Sequence, residues 1–336
     1  RVDSPEFTLD PFPVRPLPLG KMTVELRVDS RRAGQIAATT LPLIRRLAKQ
    51  NEVKIRWDNM LIVDGEPFFP IYVYRTNVLL AGRLGANALL GQSGFLYDDR
   101  PGRVRKLNLA KETRIKLISS EFGTDFLREA PADPRAMRRP ILDEGSMLAF
   151  YVHDEPQATE AAVPTPLPLH VERAALIREM DPYHPTYFCL MPSWKDTCAY
   201  APIVDAIGHD PYASYLAYHE RWVSWSTRML MAVTEGKQPI WQVLQPFFFK
   251  ASHEHPSPSD LRHSIWSAVI HGANGIGFWG ASGGGHAVED IRGLNSNRVN
   301  WLAAQETVHA VRRLAPVILS EAAVGAGAIC DSDYVA

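Results

Sequence analysis

The sequence predicts an α/β chain, a (β/α)8 TIM barrel preceded by a β-rich segment, and three observations carry this. From Met60 onward, short apolar runs alternate with longer stretches at helical spacing, the sign of a parallel sheet covered by helices. About eight such units fit into about 260 residues, the usual length of such a barrel. The first 58 residues differ in texture and alternate apolar with polar side chains. The expected division is therefore 1–58 as part of a sandwich-like appendage, 59–320 as the barrel and catalytic domain, and 321–336 as the start of a C-terminal segment.

In chain order, Pro11, Pro13, Pro16 and Pro18 make the first stretch an extended strap. Thr23–Val28 and Val53–Trp57 follow as half-buried strands with a period of two. The barrel strands are expected at Phe68–Tyr74, Ala86–Leu90, Ile115–Ser119, Met147–His153, Thr186–Leu190, Ala206–His209, Ile240–Leu244 and Gly275–Trp279. Pro70 is tolerable only near the start of its strand. Ser257-Pro258-Ser259-Asp260 offers an N-cap, a proline at the first helical position and an acid three residues on, and Gly272 ends that helix. Another helix is expected from near Asn297 through Leu302, Ala310 and Leu314, stopping at Pro316. Trp222 and Trp225, at i and i+3, are expected to pin a helix to the barrel.

Composition narrows the function classes. With 46% hydrophobic and 22% charged residues, the chain is neither disordered, collagen-like nor a coiled coil. Lys plus Arg is 36 and Asp plus Glu is 37, a net charge of −1, so nothing points to nucleic acid or an anionic membrane. No apolar run approaches the roughly 18 residues of a membrane span. Arg1-Val2-Asp3-Ser4-Pro5 has neither a starting Met nor a hydrophobic signal core, and reads as a fragment or processed form. A secreted or periplasmic origin is compatible with it. Cys189, Cys198 and Cys330 form no CxxC, which argues against a disulfide scaffold or a zinc module.

In a barrel of this kind the chemistry sits at the carboxyl ends of the strands. The fourth run ends in His153-Asp154-Glu155-Pro156, two adjacent carboxylates after six apolar residues. They belong in a polar cleft or, more blandly, form a capping Asp and a solvated Glu before a turn. Glu121, after the third run, is equally a salt-bridge partner. Asp210, before Pro211-Tyr212, is equally a turn former. His253-Glu254-His255 lacks a third protein ligand, and Gly283-Gly284-Gly285 lacks a following Lys-Ser/Thr, so no metal and no cofactor is expected. Phe247-Phe248-Phe249 is placed to line a cleft.

Asp154-Glu155-Pro156 resembles the Asn-Glu-Pro of clan A glycoside hydrolases, whose Glu is the general acid/base. Asp64-Gly65-Glu66-Pro67-Phe68-Phe69-Pro70-Ile71 is similar to the lead-in of their first strand, and Gly85-Ala86-Asn87 to their second. His209-Asp210-Pro211-Tyr212 resembles the His and Tyr after their sixth, and Trp279 stands where the clan places its eighth-strand Trp. The resemblance covers about residues 59–320 as short motifs. It implies a glycosidase with a carbohydrate substrate: Glu155 as general acid/base, Asp154 and Asp210 as its partners, His209, Tyr212, Gln245 and Trp279 as sugar contacts, and Asn87 and Arg75 as rim donors. Burial among Tyr151, His209 and Tyr212 is expected to raise the pKa of Glu155.

One departure matters. The clan's nucleophile is a Glu at the end of the seventh strand, where this sequence has Gln245. Gln245 is expected at the barrel mouth facing Glu155, or else capping the turn before Pro246. Retaining hydrolysis needs two carboxyls about 5 Å apart and inverting hydrolysis about 6.5–9.5 Å, so the partner comes from elsewhere. An adjacent Asp-Glu pair also serves enzymes that use the substrate's own 2-acetamido group as nucleophile. The alternative is a barrel that binds carbohydrate or a partner without hydrolysing it. A metal-dependent lyase would need more ligands than the sequence offers, and the oligomeric state is not legible.

Overall fold

The computed structural model describes residues 18–30, 32, 34–74, 76–91, 108–120, 145–157, 167–213, 221–249, 256–282 and 291–320. The chain divides into two compact units, Arg1–Gln50 and Asn51–Ala336. In the first, β1 (Gly20–Ser30) and β2 (Gly34–Arg45) form one antiparallel pair that contains the expected strand at Thr23–Val28. The strap prolines Pro11, Pro13 and Pro16 lie outside the described residues.

The second unit opens with three short antiparallel strands, β3 (Val53–Ile55), β4 (Leu61–Val63) and β5 (Glu66–Phe68). The barrel follows: β6 (Ile71–Tyr74), β7 (Ala88–Gly91), β8 (Lys116–Ser119), β9 (Met147–Asp154), β10 (Thr186–Leu190), β11 (Ala206–His209), β12 (Trp241–Leu244) and, after the short β13 (Phe248–Phe249), β14 (Gly275–Phe278). These eight strands form one parallel sheet in the order β11-β10-β9-β8-β7-β6-β14-β12, and a parallel bridge from Ile207 to Ile240 brings its two edges together. The first barrel strand begins at Ile71, after Pro70, because proline has no N–H for the ladder. Phe68 belongs to β5 instead.

Alternation along each strand sorts the side chains into two cores. Outward, Ile71, Val73, Phe150, Val152, Phe188, Leu190, Ile276 and Phe278 pack in one buried cluster with helix residues such as Leu230 and Ile265. Inward, Tyr72, Tyr74, Tyr151, Tyr187, Cys189 and Trp241 form a second cluster that includes Val53, Leu61 and Val63, so the β3–β5 sheet stoppers the amino end of the barrel. Such large inner residues leave no room opposite them. A Cβ on Gly277 would lie 2.5 Å from the Tyr72 ring, and one on Gly275 2.6 Å from Pro70.

Helices among the described residues include α1 (Val78–Leu84), α2 (Leu167–Met180), α3 (Trp194–Tyr200), α4 (Trp222–Val233), α5 (Pro258–Ile270) and α6 (Arg298–Ile318). The capping box expected at α5 is present: the Ser257 hydroxyl accepts from the Asp260 N–H, and the Asp260 carboxylate accepts from the Ser257 N–H. Two expectations need correction. First, α6 does not stop at Pro316 but runs to Ile318, since a proline in the last turn removes a single intrahelical bond and Leu319 N still donates to the Ala315 carbonyl. Second, Trp225 does not pin α4. Val223, Ser226, Thr227, Met229 and Leu230 form its buried face, while the two indoles stack on each other at 4.6 Å and Trp225 is 42% exposed.

Candidate active site

The carboxyl end of β9 is shaped by an irregularity in its pairing with β10. Tyr187 pairs with Tyr151 but Phe188 pairs with His153, so Val152 is an extra residue, a β-bulge. Without it Asp154 would share the outward face of Val152. With it, His153 turns outward beside His170 of α2, and Asp154 turns inward opposite Cys189. The Tyr151 hydroxyl then donates to the Asp154 carboxylate. Glu155 follows with a left-handed backbone, φ 40°, sparsely populated by non-glycine residues, and its N–H donates to the Cys189 carbonyl at 2.9 Å.

Asp210, just past β11, meets this pair from across the mouth. It is 6% exposed and close enough to Glu155 and Asp154 to feel their charges. Burial pushes its pKa well above the ordinary carboxylate range, and the neighbouring charges of Glu155 and Asp154 push it further. The carboxyl on which burial acts most is thus Asp210, whereas Glu155 is half-buried. Oδ1 of Asp210 is buried with no hydrogen bond among the described residues. Beneath the cluster, burial and the same three carboxylates raise the Cys189 thiol well above its usual range. Beside it, Tyr212, Phe247 and Trp279 form an aromatic wall, with ring centroids 5.1 Å apart for Tyr212–Phe247 and 4.8 Å for Phe247–Trp279.

Gln245 is 7% exposed, and its Nε2 donates to the Phe247 carbonyl at 3.3 Å. Two further expected contacts sit elsewhere. Gly208 fills the inward position of β11, so the next residue, His209, points away from the barrel interior: it is 0% exposed, with its ring held by Thr197 Oγ1 of α3 at 2.8 Å and Ser226 Oγ of α4 at 2.9 Å. His209 is a core residue, not a residue of the mouth. Asn87 precedes β7 at the amino end of the barrel, where its Oδ1 accepts from Ile71 N and its Nδ2 donates to the Phe69 carbonyl. It staples strands there and cannot be a rim donor. Arg75, Glu121, His253, His255 and Gly283–Gly285 lie outside the described residues. The sequence places Tyr151 beside Glu155 but gives no sign of its bond to Asp154 or of Cys189 beneath the cluster.

Burial holds the His209 pKa down at about 3, against an ordinary 6.5. Between these values the unfolded chain binds a proton that the folded chain refuses. Its contribution to stability is therefore present above 6.5 and lost as pH falls toward 3, at about 1.4 kcal/mol per pH unit. Asp210, with its raised pKa, works in the opposite sense, so the test is the difference between native and His209→Asn protein. Urea denaturation at pH 7, 6, 5 and 4 is expected to show the gap narrowing steadily with acid. A constant gap would mean that His209 is protonated in the folded state.

Among the described residues no group of three or more His, Cys, Asp or Glu is arranged to hold a metal ion, and no helix is long and apolar enough to cross a membrane. No protein-family model matches the chain, and no curated protein matches it. Solved structures do. A GH2 beta-galacturonidase from Eisenbergiella tayi bound to galacturonate is 13% identical with a TM-score of 0.53, over 86% of this chain and 58% of that one. An endo-1,4-beta-mannanase from Rhizomucor miehei is 11% identical with a TM-score of 0.55, over 76% of this chain and 98% of that one. A calcium-binding mutant of Bacteroides uniformis beta-glucuronidase 2 is 14% identical with a TM-score of 0.54, over 81% of this chain and 37% of that one. The chain therefore spans 58% and 37% of the two longer enzymes. At these identities the likeness is one of fold: a parallel eight-stranded barrel of the kind found in glycoside hydrolases.

Proposed function

We propose that the chain is a glycoside hydrolase acting on a glycosidic bond of an oligo- or polysaccharide, with Glu155 as general acid/base. The observation that supports this most is the meeting of Glu155 and Asp210 at the carboxyl ends of β9 and β11, beside the Tyr212–Phe247–Trp279 wall. Burial and the neighbouring charges of Glu155 and Asp154 favour the protonated form of Asp210. A half-buried Glu beside a buried, protonated Asp is placed to pass a proton to a leaving oxygen. The aromatic wall offers flat apolar faces to the C–H surface of a sugar ring.

In this scheme Glu155 gives its proton to the glycosidic oxygen as the bond to the anomeric carbon breaks, and the alcohol leaves. Water adds to the anomeric carbon, and the proton it releases returns to Glu155. Asp154 supplies negative charge to the oxocarbenium-like transition state, or orients a 2-acetamido group that attacks in place of a protein nucleophile. In either form Gln245 can remain an amide. The test is release of phenol from a panel of aryl glycosides by the native chain, with 2-acetamido sugars included. Cleavage confined to one sugar type supports the reading, and no cleavage of any aryl or oligomeric glycoside would sink it.

Gln245 favours a second reading, a barrel that binds carbohydrate without cutting it, since an amide both donates and accepts to hydroxyls. Affinity electrophoresis in gels containing soluble polysaccharide separates the two. Binding without release of reducing ends, weakened by Gln245→Ala, supports the binding barrel. Release of reducing ends rejects it.

A further inference from the structure

We infer that Tyr151 is a positioning residue: its hydroxyl fixes Asp154 as the permanent anion of the three-acid cluster and leaves the cluster's proton with Asp210. The geometry starts from the bulge at Val152, which puts residues 151 and 154 on the same inward side of β9 and allows the phenol to donate to the carboxylate. The Tyr151 ring is 3% exposed and cannot swing away. It lies edge-on to Tyr74, centroids 6.0 Å apart, and 5.3 Å from the ring of Tyr187. Tyr187 is itself tied down, its hydroxyl 2.7 Å from that of Tyr72 and 3.2 Å from the Trp241 carbonyl.

Asp154 is exposed at the mouth, and the titratable groups around it come from β6, β10 and the end of β11. Tyr72 and Tyr74 on β6, Cys189 on β10, and Asp210 and Tyr212 after β11 all feel its charge. On its own strand, Glu155 follows it, and His153 Nδ1 is bonded to its backbone carbonyl on the outward side, where burial lowers the His153 pKa and favours the neutral ring. The phenols and the thiol are held neutral by burial. Asp210 and Glu155 are like charges that oppose ionisation of Asp154. A hydrogen bond donated to the charged form opposes them, and Tyr151 provides it. Neighbouring acids that would otherwise compete for a proton are thereby sorted, with Asp154 as the anion and Asp210 as the proton holder.

The consequence for catalysis rests on the glycosidase reading, but the sorting of protons does not, and the experiment keeps the two apart. The side-chain carboxyl of Asp154 is followed by carbon NMR through a pH titration, its signal identified by its disappearance in Asp154→Asn. In Tyr151→Phe, which keeps the ring and its packing, the Asp154 midpoint is expected to rise by about one pH unit, a tenfold gain in proton affinity. A fluorinated tyrosine at 151, a stronger donor, is expected to lower it, and this serves as the second arm should the Phe variant fold poorly. In an active enzyme the acid limb of the pH–rate profile follows the midpoint upward while plateau kcat changes little. Midpoints unmoved in both variants overturn the inference and reduce Tyr151 to packing. Midpoints that move in a protein that cleaves no glycoside leave the inference standing and remove the glycosidase reading alone.

Discussion

Replacing Glu155 by Gln is expected to lower kcat/KM by about 10²–10⁴-fold while leaving the folded protein intact. The amide is isosteric with the acid but has no proton to give, so transition-state stabilisation at the leaving oxygen is lost. Folding is expected to survive because Glu155 is only half-buried and its structural bond, from its N–H to the Cys189 carbonyl, is made by the backbone. The loss should grow with the basicity of the leaving group, being largest on a natural oligosaccharide and smallest on a nitrophenyl glycoside, which departs with little help. Removing the Glu155 charge also removes one of the causes of the raised Asp210 pKa, so the alkaline limb of any residual activity should move to lower pH. Full retention of activity on oligosaccharides would remove Glu155 from the mechanism.

The second large effect is on folding. Gly208 of β11 faces the barrel interior where β11 approaches β12, and a Cβ there would lie 1.8 Å from the Trp241 carbonyl oxygen, 2.9 Å from its carbon and 2.8 Å from the Tyr187 hydroxyl. The obstacle is backbone, so no side-chain rotation relieves it. Gly208→Ala must pry apart the strands that close the sheet at Ile207 and Ile240, and break the Tyr187–Trp241 hydrogen bond. The expected cost is about 3 kcal/mol or more, the upper end for overpacking. Thermal denaturation followed by circular dichroism should show Tm lower by roughly 6 °C or more, or no cooperative transition at all. An unchanged Tm would mean that β11 and β12 do not meet as described.

How much of this was legible in the sequence follows from the same geometry. The parallel strands are buried on both faces, so they appear as short apolar runs such as Thr186–Leu190 and Ala206–His209, and their ends can be read almost to the residue. The placing of Asp154, Glu155 and Asp210 at the carboxyl ends follows from the strand-helix order alone. Facing is harder, because one extra residue reverses it. The bulge at Val152 leaves no mark in a run of six apolar residues, so Tyr151 and Asp154, three apart and on opposite faces of a regular strand, gave no hint of contact. His209 could have been placed correctly: a glycine inside a strand marks close backbone approach, which puts Gly208 inward and its neighbour outward. Asn87 stands at the start of the expected strand Ala86–Leu90 and just before β7, so strand direction alone puts it at the amino end, away from the rim that the resemblance implied.

The most direct test of the central claim is a crystal structure of the Glu155→Gln variant soaked with an oligosaccharide that the native chain cleaves or binds. The account predicts a sugar ring against Trp279 and Phe247, with a glycosidic oxygen within hydrogen-bonding distance of residue 155 and Asp210 on the same side of the ring. Clear density for the sugar away from the carboxyl ends of β9 and β11, with that mouth empty, would contradict it.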